Sequence, residues 1–177
     1  MTEQSGPPTF SFFSTAIIWI VLLAGTTLLF NSVLDKFNNP NQKLEISVNA
    51  NGNPEVILKQ NRYGHYVATG TINGQDVEFL LDTGATNVAI PEHIANKLNL
   101  KKGAAHQTMT ANGTSKSFQT TLASISLGDI VMHNVPASIS SGMKFDEILL
   151  GMSFLKHLKL TQQGKILTLS LPNQDNL

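Results

Sequence analysis

The chain has 177 residues, 41% of them hydrophobic and 14% charged, so it is long enough for one domain with a sizeable core and additional segments. Twelve lysine and arginine residues balance twelve aspartate and glutamate residues; this zero net charge, without a basic stripe, argues against a nucleic-acid partner. The chain has no cysteine, which excludes disulfides, thiolate catalysis and cysteine-ligated zinc.

The first predicted element is an apolar segment at residues 10–34, which contains no charged residue. About 20 apolar residues in a helix match the ~30 Å hydrocarbon core of a bilayer. We therefore predict one transmembrane helix, with a cleaved signal peptide and a buried soluble helix as the alternatives. A signal peptide is disfavoured because no positive residue precedes the segment and no small-x-small site follows it. Lys36 and Lys43 follow the segment, and the positive-inside rule then favours a cytoplasmic C-terminal domain.

The remaining chain divides into a spacer and one predicted domain. Residues 35–54 are rich in asparagine, glycine and proline, which predicts a flexible linker with one extended stretch at 44–48. The predicted domain covers residues 55–172, and short tails are predicted at 1–9 and 173–177.

Short strand-like segments separated by turn signals fill the predicted domain. Asn73-Gly74 predicts a tight hairpin, and a second hairpin is centred on 111–114. Short helices are predicted at 91–98 and 153–157. The predicted strands are 56–58, 65–72, 77–81, 87–90, 107–110, 117–122, 122–127, 130–135, 148–150, 158–161 and 166–171. This pattern predicts an all-β, barrel-like domain with one or two short helices.

The most informative motif is Asp82-Thr83-Gly84, which directly follows the apolar strand 77–81. Some 65 residues later the chain contains Leu149-Leu150-Gly151. These two motifs, with a hairpin between them, resemble the retropepsin-like aspartic proteases. The run Leu-Gly-Met-Ser-Phe-Leu at 150–155 is similar to the bacterial, membrane-tethered branch of that family. The resemblance covers approximately residues 55–171.

The resemblance implies a role for each of these residues. Asp82 would be the catalytic carboxylate, in a closed barrel-like half-domain preceded by the transmembrane helix. The residues expected to support the active-site loop are Thr83, Gly84, Ala85, Leu149, Leu150 and Gly151. The hairpin expected to close over substrate as a flap carries Met109, Thr110, Ala111, Asn112 and Gly113. Met152 stands where some retroviral members carry an arginine, so the salt bridges of those members are not expected here.

A single Asp-Thr-Gly in the sequence predicts that the enzyme is a homodimer. Hydrolysis by a pair of carboxyl groups needs two such loops, so the second Asp82 must come from another copy of the chain. We expect an extended polypeptide substrate, no cofactor and no metal. The resemblance also implies the bacterial inner membrane, with the domain facing the periplasm, in contrast to the lysine count.

Two other functions fit the same sequence. The fold could serve as a catalytically inactive peptide-binding module, or as a structural membrane protein, because a fold alone does not define an activity. The five histidines lack the spacing of a helical metal site, and we interpret them as surface or hydrogen-bonded residues.

Overall fold

The computed structural model describes residues 12–49, 52–110 and 113–172. The chain divides into two compact units, Met1–Lys36 and Phe37–Leu177, and each is described by itself. The predicted tails at 1–9 and 173–177 lie outside the described residues, as do the first two residues of the predicted transmembrane segment.

The first unit consists, in its described part, of helix α1. This helix spans Phe12–Asn38, so it ends four residues beyond the predicted segment and its last two residues belong to the second unit. Its 27 residues correspond to a length of about 40 Å. It is long and apolar enough to cross a membrane by length and composition, a test that a signal sequence near the N-terminus would also pass.

The second unit is built mainly from β-strands. Within its described residues, the elements are β1 (Glu45–Val48), β2 (Pro54–Lys59), β3 (Val67–Ile72), β4 (Gln75–Leu81), β5 (Val88–Pro91), α2 (Glu92–Lys97), β6 (Ala105–Thr110), β7 (Gly113–Leu127), β8 (Ile130–Ser140), β9 (Ile148–Leu150), α3 (Met152–Leu155), β10 (Lys159–Gln163) and β11 (Ile166–Ser170). These elements confirm the predicted all-β domain with one or two short helices; the described residues contain two, α2 and α3.

A seven-stranded sheet forms the larger part of this unit. Its order is β3-β4-β9-β5-β8-β7-β6, and an additional pairing between β3 and β7 closes it into a barrel. Strand β7 is long enough to pair with β6 at one end and with β3 at the other. Strands β4 and β9 run parallel, so their C-terminal ends lie side by side at the same end of the sheet.

The second sheet has four antiparallel strands in the order β1-β2-β11-β10. One face of β2 and β11 is buried, through Val56, Leu58, Leu167 and Leu169. These residues join side chains of the larger sheet, including Phe79 and Leu150, in one hydrophobic core. All five residues of β10 are exposed, so this strand forms an open edge of the small sheet.

The hairpins are predicted correctly where a local turn signal exists. Ile72 and Gln75 are paired around Asn73 and Gly74, whose φ angles of 51° and 78° suit the tight turn expected for this dipeptide. The predicted strands 117–122 and 122–127 are instead one continuous strand, β7, because no turn residue interrupts their alternating pattern. Strand β8 continues five residues beyond the predicted end at Val135, across Pro136.

The interpretation of residues 35–54 as a flexible linker needs correction. The side chains of Asn39 and Asn41 are buried, at 2% and 3% exposure. Strand β1, which includes most of the predicted extended stretch, pairs with β2. The segment is therefore part of the folded unit, because the side chain of Asn41 satisfies backbone groups of the two sheets instead of forming a solvated turn.

Candidate active site

The loop that carries Asp82 begins directly at the C-terminal end of β4. The carboxylate Oδ1 of Asp82 accepts a hydrogen bond from the backbone N–H of Gly84, with an N···O distance of 2.8 Å. The backbone N–H of Asp82 donates to the carbonyl oxygen of Leu150 at 3.3 Å, which fixes the loop to the neighbouring strand β9. Asp82 is half-buried, so its carboxylate is oriented by backbone groups and still reachable from solvent.

The Asp82 loop is hydrogen-bonded to the segment that directly follows β9. The N–H of Met152 donates to the carbonyl oxygen of Ala85 at 2.8 Å, and that of Ser153 donates to Thr86 at 2.9 Å. At Gly151 an added Cβ atom would lie 2.2 Å from the carbonyl oxygen of Asn87. Only glycine leaves space for this crossing of two backbone segments.

The two leucines of the second motif occupy the strand next to Asp82. Leu150 is fully buried and pairs with Leu81. Leu149 is half-buried and pairs with Leu80 on one side and Ala89 on the other. The structure therefore brings the two predicted motifs together where β4 and β9 end side by side. Apolar packing and hydrogen bonds hold the Asp82 loop there. Thr83 is exposed on this loop.

The predicted flap is the hairpin formed by β6 and β7. Thr110 and Gly113 are paired at its end, and Gly113 has a φ of 105°. Ala111 and Asn112 at the turn lie outside the described residues. The side chain of Met109 is 88% exposed. A large apolar side chain near the tip of a projecting hairpin is therefore available to contact a ligand.

Comparison with known proteins identifies the family. The model of a family described as "gag-polyprotein putative aspartyl protease" matches residues 68–157, which include both motifs and the hairpin. The chain belongs to the retropepsin-like aspartic proteases.

Its similarity to a solved member is consistent with this assignment. A retropepsin-like aspartic protease from Rickettsia conorii is 31% identical, with a TM-score of 0.55, over 64% of this chain and 97% of that one.

Two curated relatives are similar in sequence. A protein from Sinorhizobium sp., described as an uncharacterized protein in the cobV 5' region, is 37% identical over 120 residues, which are 66% of this chain and 52% of the relative. The uncharacterized protein RP867 of Rickettsia prowazekii (strain Madrid E) is 31% identical over 108 residues, 59% of this chain and 46% of the relative. The chain thus spans about half the length of the curated relatives it matches.

One residue that supports the retropepsin-like loop was not predicted from sequence. Ser153 is buried, and its hydroxyl donates to the carbonyl oxygen of Pro136 at 2.9 Å. The hydroxyl oxygen of Ser153 in turn accepts a hydrogen bond from the N–H of Val88 at 2.9 Å. Ser153 therefore links β5 and β8 behind the Asp82 loop. The only signal in the sequence is a serine within the apolar run 152–155, and its partners lie too far along the chain to be inferred.

Helix α2 is attached to the loop that follows β8 by polar contacts. The hydrogen bond from Lys102, and then that from Ser141, lower the pKa of Glu92 below its usual value. Because the charged form is favoured in the folded state, this stabilisation is present above the ordinary pKa of glutamate. It is lost as the pH falls through the lowered pKa. The imidazole Nε2 of His93 lies 2.7 Å from Oδ1 of Asp146 in the same loop.

No group of three or more histidine, aspartate or glutamate side chains able to hold a metal ion occurs among the described residues. Of the five histidines in the sequence, His93 is hydrogen-bonded to Asp146. His133 contacts the carbonyl oxygen of Ala123 through Nδ1 at 3.3 Å.

Proposed function

We propose that this chain is a membrane-anchored aspartic endopeptidase whose active site contains Asp82 from two copies. The observation that carries the proposal is the position of Asp82 at the end of β4, with its carboxylate oriented by Gly84 and its loop crossed by Gly151. The sequence contains one Asp-Thr-Gly, so one copy of the chain supplies one such carboxylate.

The proposed chemistry needs both carboxyl groups. One accepts a proton from a water molecule that attacks the peptide carbonyl, and the other donates a proton to the departing amine. Two carboxyl groups in contact share one proton because like charges so close cannot both be ionised, as is well known for aspartic proteases. The pair then titrates as a unit and provides an acid and a base together.

The proposed substrate is an extended polypeptide bound between the flap hairpin and the Asp82 loop. A peptide in extended conformation can pair with strand backbones, and exposed side chains such as Met109 can cover it. In this proposal Thr83 braces the two loops of the dimer, and Ala85 supports the loop through its hydrogen bond from Met152.

Helix α1 is proposed to anchor the enzyme in the bacterial inner membrane as a single span. Its length and composition support a membrane span, and confinement to a membrane raises the effective concentration of copies that must pair. We propose a periplasmic domain from the resemblance to tethered bacterial members. The weak charge bias of Lys36 and Lys43 favours the opposite side, so reporter fusions at both ends of the chain are the direct test of orientation.

The decisive experiment is the substitution Asp82→Asn in the full chain, purified in detergent. We expect the cleavage rate of a peptide library, measured by mass spectrometry, to fall by about 10²–10⁴-fold because the acid-base group is removed. Asp129→Asn makes the same change at an exposed turn carboxylate and should leave the rate unchanged. Cleavage by the native chain should also be inhibited by pepstatin.

Undiminished cleavage by the Asp82→Asn variant would refute the mechanism. A native chain that binds peptides but yields no products at any pH would instead support the peptide-binding alternative. A chain that neither binds nor cleaves peptides would support a structural role.

A further inference from the structure

A cavity of about 920 Å³ lies on the second unit, apart from the carboxylate of Asp82. Strands β7 and β8 line it at residues 119–121, 123 and 136–138. The segment 99–103 and the side chain of His106, near the start of β6, line the opposite side. Asn87, which follows the Asp82 loop, is also part of the lining. The cavity therefore reaches from the base of the flap hairpin to the end of the active-site loop.

The lining of this cavity is basic. It contains Lys101, Lys102 and His106 and no aspartate or glutamate. Lys102 forms an ion pair with Glu92, whereas Lys101 has no carboxylate partner among the described residues. The buried Nδ1 atom of His106 also has no hydrogen-bond partner there. A lining with two lysines and no carboxylate favours an anionic group as its occupant.

The walls of the cavity are fixed by backbone hydrogen bonds. The N–H of Gly103 donates to the carbonyl oxygen of Gln119 at 2.7 Å, and the N–H of Gln119 donates to Ala104 at 2.9 Å. A Cβ atom at Gly103 would lie 2.9 Å from that same oxygen of Gln119, so the segment lies close against β7. The cavity is thus formed before any ligand arrives, which reduces the entropy cost of binding.

The connection to the active-site loop indicates what occupies the cavity. Asn87 is the fifth residue after Asp82, and five residues span at most about 17 Å even when fully extended. A polypeptide with its scissile bond at Asp82 therefore needs only about five residues to reach the cavity in extended conformation.

We infer that this cavity is an exosite, a binding site outside the catalytic centre, for acidic side chains of the polypeptide substrate several residues from the scissile bond. The inference rests on the proposed peptidase function. Lys101 supplies the charge, while the catalytic carboxylate of Asp82 acts elsewhere on the same chain. The occupant is thus a carboxylate-bearing segment of the substrate.

The test uses pairs of peptides that differ only by aspartate or asparagine, placed at successive positions three to eight residues on either side of the bond cleaved by the full chain. At one or two positions on one side, we expect aspartate to raise kcat/KM about fivefold, the size expected for an exposed ion pair. The gain should appear in KM and not in kcat, because the contact is the same in the ground state and the transition state. It should also shrink as salt is added.

Lys101→Gln should reduce the aspartate preference to about onefold, and Lys101→Glu should reverse it. Lys165→Gln removes the same charge from the turn between β10 and β11, outside the cavity, and should keep the preference. If the native chain cleaves all peptides without any such preference, or if Lys101→Gln retains it, the exosite is refuted while the peptidase function stands. If no peptide is cleaved by the native chain, the proposed function itself fails. Binding of the same aspartate and asparagine peptides, measured by fluorescence anisotropy, then decides the exosite separately.

Discussion

The backbone at Gly151 leaves no room for a side chain. A Cβ atom there would lie 2.2 Å from the carbonyl oxygen of Asn87 and 2.7 Å from that of Ala85. Both oxygens belong to the loop that follows Asp82, and neither can move away as a flexible side chain could. The geometry of the carboxylate therefore depends on the absence of one methyl group at Gly151, directly after β9.

Gly151→Ala should consequently destabilise the second unit and disturb the site. We expect a loss of about 1–3 kcal/mol in the free energy of unfolding, as for an extra methyl in a packed interior, because the clash forces backbone shifts. Denaturant unfolding of the full chain in detergent measures this loss. The rate of peptide cleavage should also fall under conditions where the variant is still folded, because the displaced segment contains the Asp82 loop.

Gly25→Ala is a suitable control for this substitution. It adds the same methyl in α1, where nothing lies within 4 Å, and should leave the unfolding of the second unit unchanged. Equal stability of Gly151→Ala and the native chain would show that the crossing is looser than its contacts indicate.

The segment between α1 and β2 acts as a structural element of the second unit. The side chain of Asn41 accepts a hydrogen bond from the N–H of Lys59 at 2.8 Å. It donates to the carbonyl oxygens of Lys59 at 2.9 Å and Val67 at 2.7 Å. Because Lys59 ends β2 and Val67 begins β3, one amide group joins the two sheets. Val67 in turn pairs with Leu80, two residues before Asp82.

A fragment that begins at residue 55 should therefore be less stable than one that begins at residue 37. The shorter fragment lacks Asn41 and β1, which leaves backbone groups of Lys59 and Val67 without their partners. Each buried group left unsatisfied costs about 1–3 kcal/mol, so we expect a clearly lower denaturation midpoint for fragment 55–177 than for 37–177.

The substitution Asn41→Ala within the longer fragment isolates the amide. It should reproduce much of the loss, whereas Asn96→Ala on the exposed face of α2 should have little effect. Equal midpoints for the two fragments would mean that the segment contributes nothing to the fold.

Local signals in the sequence were sufficient for some elements and insufficient for others. The Asn73-Gly74 hairpin follows from the dipeptide itself, and the Asp82 loop from a motif placed after an apolar strand. The end of β8 could not be predicted, because proline is disfavoured in a strand. Pro136 nevertheless pairs with Thr121, two residues after Asn134, whose φ is 55°. The role of Asn41 depends on two strands that follow it by many residues, so an asparagine-rich segment gave only the prediction of a linker.

At the scale of the whole molecule, the edge strand β10 bears on how two copies could pair. Strand β10 lies at the edge of the four-stranded sheet, is exposed along its length and carries a charge only at Lys159. Such an edge offers unpaired backbone groups to another strand. Gln163 and Ile166 flank a two-residue turn and form a hydrogen-bonded pair. Hydrogen-bonded and non-hydrogen-bonded pairs then alternate along β10 from Gln163. The backbone groups of Leu160 and Gln162 then point away from β11, towards the free edge.

We expect a second copy to pair its own β10 with this edge. A two-fold axis at Thr161 would place Leu160 opposite Gln162 of the other copy in both directions, with the outward backbone groups facing each other. The apolar faces of the two small sheets would lie on the same side of the joined sheet. Leu160, which pairs with Leu169 on this face, would then be partly shielded from solvent by the other copy.

Gln162→Pro tests this arrangement because it removes one outward N–H without changing the bonds to β11, and proline is tolerated on an edge strand. The variant should sediment as a monomer at concentrations where the native chain is dimeric. Its specific activity should fall steeply on dilution, because the proposed active site takes Asp82 from two copies. Gln162→Thr removes the same side chain but keeps the N–H, and should remain dimeric. A Gln162→Pro chain that stays dimeric and active at the same dilution would place the interface elsewhere. A monomeric chain whose specific activity does not depend on concentration would contradict the shared active site altogether.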